Sequence, residues 1–143
     1  MDAYEEFEQA CKEIKKVNKG LLIQFEAWLT ASGLAPKTAV KHVFNVDFFI
    51  NEYLLHEEPQ EASEGVYQIS SFLGDWFVTH AMWSSPASIK SNAASLKKFY
   101  AFMLEKEWVA QQAVDELALT IKREMPKWIA NAGRYDDEMD DDY

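Results

Sequence analysis

One cysteine, Cys11, leaves no partner for an intramolecular disulfide and no basis for a cysteine-cluster metal site. No apolar run reaches the roughly 18 residues that cross a bilayer, and the opening stretch, MDAYEEFEQA, is acidic, unlike a signal peptide. A reducing, cytoplasmic setting is therefore expected. Period-two alternation is missing throughout, as is any repeat at a fixed interval, so neither a sheet nor a solenoid is predicted. With only three histidines, and no second His, Cys or carboxylate at ligand spacing around His42 or His80, no metal is assigned and both are read as structural. Pairs such as Glu57-Glu58 and Glu105-Glu107 lack any pocket signal and read as surface carboxylates. No cofactor is expected.

What the chain does have is apolar and aromatic material at helical spacing. Hydrophobic residues make up 48% and aromatics 14%, too rich for disorder, and 143 residues suffice for a real core. Net charge is −10, which argues against a polyanionic partner taken globally. The acids are unevenly placed, however. Asp136, Asp137, Glu138, Asp140, Asp141 and Asp142 crowd the last ten residues, leaving 18 acids against 13 bases, net −5, in residues 1–133.

The dominant stretch is Ser84 to Trp108. Ser85 supplies a capping hydroxyl and Pro86 sits where a missing N–H costs nothing. Ile89, Ala93, Leu96, Tyr100 and Met103 fall on one face, with Phe99 at its margin. Lys90, Lys97 and Lys98 lie elsewhere, among Ser91, Ala94 and Ala101.

Before it, Tyr4, Phe7, Cys11 and Ile14 form a first stripe, placing Cys11 in a buried, inert setting. A break at Asn18–Gly20, with Asn18 as a cap, is preferred over one long bent helix in which Asn18, Leu21, Phe25 and Trp28 continue the phase. Leu21 to Ala31 ends at Ser32-Gly33. The helix after Pro36 runs to about Leu55 and has two apolar faces. Val43, Val46, Phe49, Ile50 and Tyr53 form one; Phe44, Phe48 and Leu55 form the other. A polar loop, His56 to Gly65, follows, then a helical segment over 69–82 with Phe72, Leu73, Trp76, Phe77 and His80. Val114, Leu117, Ile121 and Met125 mark a last helix that Pro126 kinks or restarts. An all-α fold is predicted.

Two segments together resemble the core-binding domain of tyrosine recombinases (phage integrases). Ser32-Gly33-Leu34-Ala35-Pro36-Lys37-Thr38, followed by Val46, Phe49 and Ile50, resembles the family's first hallmark. Ser88-Ile89, Leu96, Phe99-Tyr100 and Phe102-Met103 resemble the second. Residues 121–129, with Lys122, Arg123, Pro126 and Lys127, look like the basic linker that leads to the catalytic domain. The resemblance implies a SAM-like four-helix domain over 19–110. Around it come an N-terminal helix over 1–18, a C-terminal helix over 111–133 and an acidic disordered tail over 134–143.

Carried over position by position, the resemblance implies contact to duplex DNA from Lys37, Thr38, Lys41, Ser88, Lys90, Ser91, Asn92 and Lys97, mostly to phosphates. The family's arginines are missing at Ser91 and Asn92, and Phe44 and Phe48 stand where charge is common. One of the terminal helices, or a second copy, is expected to cover those phenylalanines.

Catalysis is not expected. The family's chemistry needs arginines, a lysine and a histidine around a nucleophilic tyrosine, whereas this chain has only Arg123 and Arg134, and its late tyrosines, Tyr135 and Tyr143, lie among acids. The acidic tail reads as a solubilising end or as an anion competing with DNA. A second reading keeps the fold and gives the aromatic surface to a protein partner.

Overall fold

The computed structural model describes residues 2–141 and the side chains of residues 2–133. Its described residues form helices and turns without a strand, so the all-α expectation holds. The chain divides into two compact units, residues 1–65 and 66–143. The polar loop predicted from His56 to Gly65 falls at that division. The boundary expected at 18/19 lies instead inside a continuous helix.

In the first unit, α1 (Ala3–Ala31) is one helix of 29 residues. The Asp2 carboxylate accepts from the Glu5 N–H at 2.8 Å to start it. It ends where the Leu34 N–H reaches the Leu29 carbonyl and the Gly33 N–H the Thr30 carbonyl, a Schellman closure with Gly33 at φ +98°.

The predicted break at Asn18–Gly20 is absent. Asn18 is not a cap: it is 1% exposed, and its Nδ2 donates to the Ile50 carbonyl at 3.3 Å and to Asn51 Oδ1 at 2.8 Å. Those acceptors lie on the partner helix, α2 (Pro36–Phe48), which continues as a π turn over Phe49–Tyr53. Cys11, half-buried, points its thiol at the Leu55 carbonyl at 3.9 Å. Burial raises the thiol pKa, against a smaller lowering by Lys15. Residue 18 meets 50 and residue 11 meets 55, so the two helices run antiparallel. Phe25, Leu29, Ala39, Val46, Phe49, Ile50, Leu54 and Leu55 are buried.

In the second unit, α3 (Ile69–Ser71) and α4 (Phe77–His80) are joined by a π turn, Phe72–Trp76, into one rod. It packs with α5 (Pro86–Glu105) and α6 (Gln111–Asp141). The rod meets α6 through Gly74 and Trp128. A Cβ at Gly74 would sit 3.0 Å from the indole Nε1, so glycine is needed for the approach. The sequence pattern of α6 centred on Val114, Leu117, Ile121 and Met125. The buried line is instead Ala113, Leu117, Ile121, Trp128 and Ala132. Helix α6 runs through Pro126, so residues 121–129 are helix and not an extended linker. Its backbone carries past Gly133 to Asp141; the expected disordered tail falls on residues whose side chains lie outside those described. His80 is exposed and stacks on Trp76 with ring centroids 4.3 Å apart.

Helix α5 closes as α1 does: the Trp108 N–H bonds the Met103 carbonyl and the Glu107 N–H the Leu104 carbonyl, both at 2.9 Å. Here the left-handed position is Glu107, at φ 63°. A side chain there costs about 1 kcal/mol that glycine avoids. Glu107→Gly is therefore expected to stabilise the protein by about 0.5–1 kcal/mol, read as a raised denaturation midpoint.

Candidate nucleic-acid interface

The residues implied by the family resemblance lie on two helices, one in each unit. On α5 the N-terminus is built by a reciprocal pair. The Ser88 N–H donates to Ser85 Oγ at 3.0 Å, and the Ser85 N–H donates to Ser88 Oγ at 2.8 Å. The Ser88 hydroxyl also donates to the Ser85 carbonyl at 3.0 Å. It is therefore committed to the cap.

Inward, Ile89, Ala93, Leu96, Phe99, Tyr100 and Met103 are buried as predicted, and burial holds the Tyr100 phenol well above its ordinary pKa. Asn92 corrects the expectation. It is 2% exposed, its Nδ2 donates to the Ser88 carbonyl at 2.8 Å, and its Oδ1 is buried without a partner among the described residues. Its amide faces the interior and is not presented to a ligand. Ser91 is half-buried, and its carbonyl accepts from Ser95 Oγ at 3.0 Å.

The outer face of α5 is what remains. Lys90, Ala94, Lys97 and Ala101 are all exposed and recur every three or four residues, one line along the helix. Two lysines with only methyl groups between them allow a polyanion to approach the helix closely. Among the described residues neither lysine has a carboxylate within ion-pair distance. Residues 66–133 carry seven lysine and arginine side chains against six carboxylates, and the remaining acids of this unit are concentrated in residues 136–142.

On α2, Lys37, Thr38 and Lys41 are exposed. Unlike α5, this helix starts without a side-chain cap: Ala35 has no oxygen to offer, and Pro36 occupies the first turn. The Lys37 and Thr38 amides at a positive helix end, beside the Lys37 ammonium, suit an anionic oxygen. Val40 and Phe44 share this outer face, 56% and 57% exposed, with Phe48 half-buried. The expectation that a terminal helix covers Phe44 is not met. Helix α1 packs on the opposite side of α2, through Asn18.

A cleft of about 170 Å³ in the second unit is lined by Val66, Tyr67, Ile69, Ser70, Glu116, Leu117, Thr120 and Glu124. Ser70 Oγ donates to Glu124 Oε1 at 2.9 Å, and Arg123 lies 3.7 Å from the other carboxylate oxygen. The Ser70 bond ties α3 to α6, while the Arg123–Glu124 pair lies within α6, and the cleft is well below the size of most small-molecule sites. Among the described residues no group of three or more His, Cys, Asp or Glu side chains gathers as metal ligands, and no helix is long and apolar enough to cross a membrane.

Sequence reading missed one charged surface. Lys12, Lys15, Lys16 and Lys19 are all exposed on α1, at spacings of three, four and seven from the first. Their periodicity was the available signal, masked by the apolar stripe on the same helix.

The fold and these surfaces define an all-α protein with lysine-bearing outer helix faces. No family model, curated protein or solved structure matches the chain.

Proposed function

We propose that the protein is a non-catalytic duplex-DNA-binding domain of the phage integrase type, holding DNA mainly through phosphate contacts in recombination or integration. The observation that carries this reading is the outer face of α5, where Lys90 and Lys97 stand exposed among alanines, without an ion-pair partner among the described residues. The uncapped start of α2 with Lys37, Thr38 and Lys41 adds a second point of phosphate contact. The resemblance of residues 32–50 and 88–103 to the two family hallmarks supplies the class. Contacts of this kind give affinity with little base readout, because lysine and backbone amides meet phosphates, not base edges.

The test is anisotropy on a fluorescent duplex over a salt series. Affinity should fall log-linearly with salt, and Lys90→Ala/Lys97→Ala should make the slope shallower by about 2. Absence of binding at low salt would overturn the proposal.

The exposure of Val40 and Phe44 favours one competing reading, a module that has kept the helices and binds protein. In that case DNA binding is absent, and Phe44→Ser changes the sedimentation of the protein with its partner or with itself.

A further inference from the structure

We infer that α1 carries a further phosphate-binding face, made by Lys12, Lys15, Lys16 and Lys19, and that its ligand is the backbone of duplex DNA. The inference rests on the DNA reading above but on none of the residues that support it. Spacings of 3, 1 and 3 along a helix of 3.6 residues per turn put all four side chains on one side. Phe25, Leu29 and Asn18, the buried residues of the same helix, point about a third of a turn away. The lysines are exposed, and none has a carboxylate within ion-pair distance among the described residues. Glu8 and Glu26 lie on the same line but at its two ends, beyond the lysines. Between residues 14 and 25 the chain has three lysines and no acid.

Four ammonium groups gathered over ~10 Å of axis repel one another in the free protein, and although the unit as a whole is acidic, with twelve carboxylates to six lysines, none of those carboxylates among the described residues closes an ion pair with them. A duplex presents one phosphate charge per ~1.7 Å of its axis, so a face of that length meets several phosphates at once. A short acidic peptide would match the charge only by folding its own acids to the same spacing.

Gly20 adds an independent observation. It lies in the helix interior beside Lys16 and Lys19, where glycine weakens a helix relative to alanine. A Cβ there would meet nothing within 4 Å, so internal packing does not call for glycine. Its missing side chain leaves open space at one position of the helix next to Lys16 and Lys19, where a ligand can approach the backbone more closely than a Cβ would allow.

The full chain is compared with Lys12→Ala/Lys15→Ala/Lys16→Ala/Lys19→Ala by anisotropy on the same duplex, with circular dichroism to show that helix content is kept. The expected result is at least about a tenfold loss of affinity at low salt and a log–log salt slope shallower by about three to four. Replacing the same four lysines by arginine should retain both affinity and slope. If the alanine variant keeps the wild-type affinity and slope, the α1 face is not used, and the DNA reading stands without it. If the wild-type protein itself fails to bind, the DNA reading fails and this inference with it.

Discussion

Trp128→Ala is expected to destabilise the second unit by about 3–5 kcal/mol, the largest effect of any single substitution considered. The indole is 1% exposed and faces the π turn at Gly74, with its Nε1 and Cδ1 only 3.0 and 3.2 Å from where a Cβ would be. Truncation removes the body that fills the space between the rod over 69–80 and α6. Gly74 has no side chain to collapse into the gap, so the cavity persists and its cost adds to the lost transfer energy. Gly74→Val attacks the same contact from the other side, by overpacking, at about 1–3 kcal/mol. Hydrogen exchange of α5 and α6 amides reads both. Wild-type protection in Trp128→Ala would show that the rod and α6 are held by other contacts.

The second large effect is Asn18→Ala, expected to cost about 1–3 kcal/mol in the first unit. Asn18 Nδ2 is the donor that joins the middle of α1 to the Ile50 carbonyl and to Asn51 Oδ1. Asn51 is held from its other end by donating to the Asp47 carboxylate, which fixes its oxygen toward Asn18. Without the amide, two acceptors lose their donor where water has little access. Asn18→Asp should cost more than Asn18→Ala, because a carboxylate replaces the donor with an acceptor facing two other oxygens. Equal midpoints for the two variants in chemical denaturation would show that Asn18 contributes packing alone.

Asn18 also shows why part of this protein was hard to read. An asparagine two residues before a glycine in a helical pattern signals a cap and a break, and both local propensities point that way. The amide is worth more as a donor across the α1–α2 contact, and that acceptor lies 32 residues away, outside any local window. Asn92 misleads for a related reason: a polar residue between Ser91 and Ala93 looks presentable, yet its position falls on the buried side of α5. The lysines of α1 were legible by spacing alone but overshadowed by the apolar stripe. Lys90 and Lys97 were legible because the apolar residues of α5 leave one strip of the helix uncovered.

Local sequence chemistry thus determined the elements. Ser85, Pro86 and Ser88 define where α5 starts, Gly33 where α1 stops, and the periodic apolar residues that the protein is all-α, because each acts within one or two turns of its own backbone. Tertiary structure alone decided the rest. Asn18 turns inward, Trp128 seats on Gly74, and Phe44 stays at the surface, because those outcomes depend on which distant residues come within bonding or packing distance. The lysines of α2 and α5 were already candidate contacts from the family resemblance, whereas those of α1 became candidates only once the structure showed them exposed and without carboxylate partners among the described residues.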